Sequence, residues 1–427
     1  VQTWYIDYRC ARTSVTPSGG CMPWKTCDAM DSRQSFIEDF NRAALSFSEL
    51  CRRHQISRTN GYKWLRRHES EGPSGLLQRS RKPHTSPTQS TAALEAKVLV
   101  IRREHPAWGG RKIRQVLINE GCAQPLPAPS TISNILRRHG LLGAGMREGS
   151  APTQRFERGL PNELWQMDFK GWIALEHGQR CYPLTLLDDH SRYNLVLHAC
   201  RGESDPVVRG PLTEAFRRFG LPDQILCDHG NPWGKGLGAD GRQVGTPTFE
   251  RWLMRLGVEL IHGRVRHPQT QGKEERFHRT LQVEVIRRES LWRDLAHCQS
   301  AFTHWQQIYN EKRPHEALGM QTPSSRYTLS QRSYPERLAP EESFYLPEDI
   351  IRRVKSKGEI TFRNHFFYVG RAFIAAPVAL RHRGCDVWDL FYCWKQLGTV
   401  DLALASKQKG RYHSIKAETV TDVCAHL

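Results

Sequence analysis

The stretch GVELIHGRVRHPQTQGKEERFHRTLQ (257–282) decides the fold of the central part of this 427-residue chain. Val258, Leu260 and Ile261 make an apolar strand that runs into a loop carrying Arg264, Arg266 and His267. Pro268 bars a helix there, and Gly272 frees the backbone just before one begins. That helix opens with Glu274 and Glu275 and continues through Arg276, Phe277, His278, Arg279 and Leu281. A carboxylate in the first turn of a helix is favoured by the dipole. A carboxylate crowded by arginines and histidines, beyond a basic loop, also suits a metal ion held against a polyanion. Taken alone, the stretch reads equally well as a solvated helix start; two upstream aspartates decide between the readings. At about 100° per residue, Phe277, Leu281 and Val285 form one apolar stripe and Glu274 projects along it. Glu275 points to the polar side, so it is the better metal ligand. Glu274 is expected to overhang the core, its charge suited to the helix N-terminus.

Moving outward, the chain is too long for one core, and two to four domains are expected. The formal charge of +18 points to a polyanionic partner, nucleic acid before membrane surface. No apolar run approaches the ~20 residues that span a bilayer, and no signal-peptide core opens the chain. Twelve cysteines include no C-x-x-C pair, which argues against a thiolate zinc site and for a reducing cytosol.

Residues 1–30 read as a disordered extension, with Met22 as the working start. Residues 31–71 read as a helix-turn-helix. Ser46 and Glu49 are spaced as a capping box, and Ser57 caps a second helix, Arg58 to His68. That helix is expected to bury Tyr62 and Leu65 with Trp64 at the edge, and to expose Arg58, Thr59, Asn60, Lys63 and Arg67 to DNA. Gln55 stands in the turn where Gly is usual, so a side chain has to accept positive φ. Residues 72–90 form a basic Gly/Ser/Pro linker. Residues 91–145 read as a second helix-turn-helix-like domain, with helices over Ala92–Glu104 and Gly110–Glu120 and a third, Thr131–Arg138, capped by Ser130. A linker follows at 146–160.

From Glu163 the pattern turns to strands: Glu163–Trp172, Tyr182–Leu187 and Tyr193–Ala199, the last two joined through Asp188-Asp189-His190-Ser191-Arg192. A helix over Val207–Phe219, a buried strand Gln224–Cys227 delivering Asp228, a helix Phe249–Leu256 and the strand Val258–Ile261 complete a mixed sheet with helices on its faces. A helix Leu291–Tyr309 and a Pro-punctuated segment, YNEKRPHEALGMQTPSSRY (309–327), close the domain at residue 330. Residues 340–405 alternate as strands and are expected to form a small β-barrel, with a frayed tail at 406–427. The fold class is therefore multidomain: N-terminal all-α helix-turn-helix segments, a central α/β RNase H-like core (161–330) and a C-terminal barrel.

Asp168 lies in a strand, Asp228 follows a strand and Glu275 opens a helix. In open α/β sheets such positions converge at one edge. Three clustered carboxylates repel unless a divalent cation neutralises them, and Mg²⁺ or Mn²⁺ suits oxygen ligands. Two such ions can clamp the attacking and leaving oxygens of an in-line displacement at phosphorus.

These residues carry a resemblance. LWQMDFKGW (164–172), LTLLDDHSRYNLVL (184–197), ILCDHGNPWG (225–234) and HPQTQGKEERFHRTL (267–281) resemble the integrase catalytic core, the RNase H-like domain of DDE transposases and retroviral integrases. The order of parts is most similar to bacterial insertion-sequence transposases. The resemblance implies a catalytic and metal-binding triad of Asp168, Asp228 and Glu275 with two Mg²⁺ (or Mn²⁺) ions. It also implies Gln271 and Arg279 at the element end, with Arg264 and Arg266 on DNA. It further implies terminal-repeat binding, cleavage to a 3′-OH and joining to target DNA, by a homo-oligomer assembled on DNA in the bacterial cytoplasm, at the nucleoid. No nucleotide cofactor and no membrane partner are implied. The alternatives are an RNase H-like nuclease that cuts without joining and a domesticated transposase acting as a DNA-binding regulator. The chain departs from compact family members in a longer interval between Asp228 and Glu275, whose excess is GNPWGKGLGADGRQVG (230–245).

Overall fold

The computed structural model describes residues 29–79, 89–122, 125–142, 157–228, 230, 232–233, 236–237, 243–244, 248–263, 272–407 and 412–415. Arg264, Arg266 and Gln271, the extension over 1–28, the Met22 start, most of the linker and insertion at 146–160 and 230–245, and most of the tail lie outside these residues. The chain divides into two compact units, Val1–Gln89 and Ser90–Leu427.

The first unit holds α1 (Ala29–Asn41), α2 (Phe47–Arg53) and α3 (Arg58–Glu71). Its caps are the expected ones: the Glu49 amide donates to Ser46 Oγ and the Asn60 amide to Ser57 Oγ. Gln55 takes the left-handed conformation of the turn, at φ 55°. Phe36, Ile37, Leu50, Cys51, Leu65 and Leu76 make the core. Tyr62 departs from expectation, being half exposed beside Phe47. Buried Gly61 takes the interior place, and it does so because a Cβ there would come within 2.8 Å of Cys51 Sγ.

The second unit opens with α4 (Ala92–Glu104), α5 (Gly110–Asn119) and α6 (Pro129–Arg138), around Val98, Ile113, Leu117, Ile132 and Leu136. Helix α6 starts earlier than predicted. Pro129 occupies its first turn and Ala128 its N-cap, since a proline pre-set at helical φ with no N–H to satisfy is a better start than a capping Ser130.

The central sheet comprises β1 (Leu164–Phe169), β2 (Ile173–Ala174), β3 (Arg180–Asp188), β4 (Asn194–Cys200), β5 (Gln224–Cys227) and β8 (Glu259–His262). Short β6 (Gly236–Leu237) and β7 (Gln243–Val244) pair outside it. Strand β3 pairs antiparallel with β1 and β4, and β5 runs parallel to both β1 and β8. Helices α7 (Asp205–Phe219) and α8 (Thr248–Arg255) cover one face through Val208, Leu212, Phe216, Phe249 and Leu253. Helices α9 (Gly272–Glu284) and α10 (Leu295–Gln307) cover the other through Phe277, Leu281, Phe302 and Trp305. Helix α10 begins later than predicted, at the N-cap Asp294, which accepts from the His297 amide, and runs on into a π-helical turn at Ile308–Lys312.

The expected C-terminal barrel is not formed. Strands β9 (Ile350–Arg353), β12 (Pro377–Gly384), β13 (Val387–Tyr392) and β14 (Lys395–Asp401) make one sheet; β10 (Glu359–Phe362), β11 (His365–Tyr368) and β15 (Tyr412–Ser414) make another. A short helix, α11 (Leu402–Lys407), lies between β14 and β15. Ile360, Phe362 and Phe367 from the smaller sheet share a core with Val378, Leu380, Leu390 and Val400 from the larger. Alternation of buried and open residues is the same for a closed barrel and for two packed sheets, so the pattern could not distinguish them.

Candidate active site

Trp165 and Met167 of β1 face the α7/α8 core, so strand alternation turns Gln166 and Asp168 toward α9. The same holds for β5, where Ile225 and Cys227 belong to that core and Asp228 follows on the opposite parity. The parallel register pairs Leu164 with Gln224 and Gln166 with Leu226. Continued along both strands, it sets Asp168 beside Asp228 at the carboxyl ends of the sheet. The turn after β5 is tied to that aspartate: Asp228 Oδ1 accepts from the Gly230 amide at 2.8 Å and from Trp233 Nε1 at 2.6 Å.

The third carboxylate comes from α9. Glu274 is fully buried and Glu275 is exposed. The wheel therefore assigned the two directions correctly, while the overhang expected of Glu274 is absent. Glu275 lines a surface cleft of about 350 Å³ with Lys170, His278, Arg279, Gln282, Val283 and Arg287. Of the predicted DNA-contacting residues, Arg279 stands in this cleft, and Arg58, Thr59, Asn60 and Lys63 are exposed on α3, with Arg67 half-buried. Lys63 and Arg67 both lie over the Trp64 ring.

Burial, then the neighbouring Asp228 carboxylate and more weakly Glu203 and Glu275, push Asp168 up to about 7, against the hydrogen bond from the Phe169 amide. Asp168 thus feels the charge of the other two carboxylates, and oxygen donors of this kind suit a hard divalent cation. Among the described residues, no three His, Cys, Asp or Glu side chains converge closely enough to hold an ion.

Thr185 was not singled out in the sequence, and His278 was named there without a role at the site. Thr185 Oγ1 donates to the Asp168 carbonyl at 2.9 Å and also meets Glu274 Oε2 at 3.1 Å and His278 Nε2 at 2.9 Å. His278 Nδ1 lies 3.8 Å from Asp168 Oδ2. Burial raises Glu274 well above the carboxylate range and pulls His278 down to about 3. The i, i+4 spacing of Glu274 and His278 was the available signal. Thr185 came from a different strand and left none.

Residues 159–268 match the integrase core domain family, and 256–323 match a second integrase core domain family. Residues 60–136 match a homeodomain-like domain, and 349–408 the C-terminal domain of IS481 family transposases. The chain is 26% identical over 242 residues to an uncharacterized 31.7 kDa protein of insertion element IS407 from Burkholderia multivorans, covering 56% of this chain and 82% of that one. It is 25% identical over 255 residues to an uncharacterized 39.2 kDa protein of insertion element IS476 from Xanthomonas euvesicatoria, covering 59% and 69%. Among solved structures, the HTLV-2 integrase catalytic core domain in complex with magnesium aligns over 40% of this chain and 99% of that one, at 14% identity and TM-score 0.30. An intasome chain of simian T-cell lymphotropic virus aligns over 71% and 97%, at 15% and 0.34.

The sequence matches place the chain among the integrase-core enzymes, which are metal-dependent polynucleotidyl transferases. Within that class it belongs with the DDE transposases of insertion sequences, built on a retroviral-integrase-like core.

Proposed function

We propose that this transposase binds the terminal inverted repeats of its insertion sequence, cleaves there to expose 3′-OH ends and joins those ends to target DNA. The observation that carries the reading is the β1/β5 register, which continued by two residues brings Asp168 beside Asp228, with Glu275 on the polar side of α9 in a cleft lined by Lys170, Arg279 and Arg287. Asp168, Asp228 and Glu275 would hold two Mg²⁺ or Mn²⁺ ions, which when bound supply charge neutralisation at the attacking and leaving oxygens of phosphoryl transfer. The three cleft cations bind backbone phosphates and orient the strand beside the carboxylates. Strand β1 and the Trp233 indole hold the two aspartates in place. Exposed Arg58, Thr59, Asn60 and Lys63, with Arg67, read the element end. The partners are element-end and target DNA and further copies of the chain, and the site of action is the bacterial nucleoid. Among the described residues, no helix is long and apolar enough to cross a membrane.

The test is Asp228→Asn in the full chain. DNA binding should persist while cleavage and joining in Mg²⁺ or Mn²⁺ both disappear. Joining that survives the substitution removes Asp228 from the site. An enzyme that cuts but never joins an end with a preformed 3′-OH is a nuclease instead.

A further inference from the structure

The segment Asp188-Asp189-His190-Ser191-Arg192 is not part of the proposed triad, yet its two aspartates are buried and heavily hydrogen-bonded. Asp188 is buried and accepts from the Asn162 amide at 2.7 Å and from Ser191 at both its amide and hydroxyl. Asp189, also buried, is a junction. Its Oδ2 accepts from the Arg158 amide at 2.8 Å, and its Oδ1 from Gln166 Nε2 at 2.6 Å. The same Oδ1 pairs with Lys273 Nζ, which also reaches the Asp189 carbonyl at 3.3 Å.

Two of these partners flank the triad. Gln166 precedes Asp168 on the same face of β1. Lys273 lies in the first turn of α9, two residues before Glu275. The side chain of Asp189 is wholly shielded from solvent, and that of Lys273 is 18% exposed. An ion pair so enclosed is geometrically restrictive, and removing one partner leaves a charge in the interior. Elsewhere α9 is held by apolar contacts of Phe277 and Leu281, by the hydrogen bonds of Glu274 and His278 with Thr185, and at its far end by Glu284 with Arg313 and Trp305; the Asp189–Lys273 pair is the ion pair at its start.

We infer that the Asp189–Lys273 pair is a latch that fixes the start of α9 against β1, so that Lys273 is a positioning residue for Glu275. The inference rests on the proposed role of Glu275. The latch sets where the third carboxylate stands relative to Asp168 and Asp228, and hence how readily the three share a cation. Residues that hold metal ligands in place typically alter metal affinity or activity by roughly 10–100-fold.

The experiment uses the full chain with Lys273→Met, Lys273→Arg and Asp189→Asn, and DNA duplexes copied from the sequence flanking the gene. Lys273→Met should slow strand transfer by roughly 10–100-fold and raise the Mg²⁺ concentration at half-maximal rate, with duplex affinity unchanged. Lys273→Arg should restore both, because it keeps the charge. Amides of α9 from Arg276 to Leu281 should exchange hydrogen faster in Lys273→Met and Asp189→Asn than in the parent. A Lys273→Met rate and Mg²⁺ requirement within twofold of the parent overturn the latch. If Lys273→Met does not fold, Lys273→Arg and Asp189→Asn decide: parental behaviour in Asp189→Asn, or loss in Lys273→Arg, overturns it equally. A parent protein that never joins DNA refutes the proposed function instead, and amide exchange then still tests the latch.

Discussion

Glu274 and Glu275 are adjacent, and their environments differ as much as two carboxylates can. Glu275 is exposed in a basic cleft. Glu274 is fully buried against Thr185 and His278, and its Oε1 has no hydrogen-bond partner. Desolvation favours the neutral acid there. Glutamine closely resembles a neutral glutamic acid in shape, so Glu274→Gln should keep most strand-transfer activity and the fold. Glu275→Gln should abolish transfer and leave DNA binding intact. Single-turnover strand transfer on a preprocessed end, measured beside a melting curve, separates the two. The reverse pattern would require the triad to be redrawn. Glu274→Ala is a different perturbation: it leaves Thr185 and His278 facing a void and should cost about 2–4 kcal/mol of stability.

At the scale of elements, the sequence disclosed what depends on local chemistry. The capping side chains Ser46 and Ser57 marked their helices, and β5 ended where Asp228 begins. What it hid depends on partners distant in the chain. Nothing local shows that β12 pairs with β9, or that β11 pairs with β10 on one side and with β15 on the other. Thr185 enters the site only through its register opposite Asp168. Gly61 is the clearest case. It sits in mid-helix, where glycine is otherwise unfavourable, and the reason is the approach of α2 and α1: a Cβ would lie 2.8 Å from Cys51 Sγ, 2.9 Å from the Phe47 ring and 3.2 Å from that of Phe36. Gly61→Ala should therefore destabilise this unit by about 1–3 kcal/mol despite the better helix propensity of alanine. Asn60→Ala, one position away and exposed, should leave stability nearly unchanged and weaken binding to the element end by about 1–3 kcal/mol if its side chain reads a base. Denaturant melts and titrations on specific and random duplexes distinguish a packing residue from a reading residue. Equal losses of stability in the two variants would refute the division.

For the whole molecule, stability against acid follows from where histidines are buried neutral. His315 belongs to the Pro-punctuated segment that binds the far end of α9 to the core: Arg313 Nε meets Glu284 Oε1 at 3.1 Å, and Arg313 also reaches His315 Nε2 at 3.4 Å. Tyr309 packs edge-on against the imidazole. Burial first, then the positive charges of Arg313, Lys112 and Arg192, hold His315 down to about 2, against a hydrogen bond with the Tyr309 backbone. In the unfolded chain the same side chain takes up a proton near 6.5. Below that pH the unfolded state binds more protons than the folded one, so the contribution of His315 to stability falls as pH falls. The loss is about 1.4 kcal/mol per pH unit once the unfolded imidazole is fully protonated. Raised carboxyls such as Asp168 and Glu274 act in the opposite sense, since they bind protons more readily when folded, and the pH profile of the parent alone mixes these effects. The difference between parent and His315→Gln separates them, because glutamine can accept from Arg313 without titrating. Between pH 6.5 and pH 5 the parent should lose about 1.6 kcal/mol more than the variant in urea unfolding. Parallel profiles would mean that His315 becomes charged in the folded protein, with Arg313 displaced from its ring and the anchor of α9 loosened.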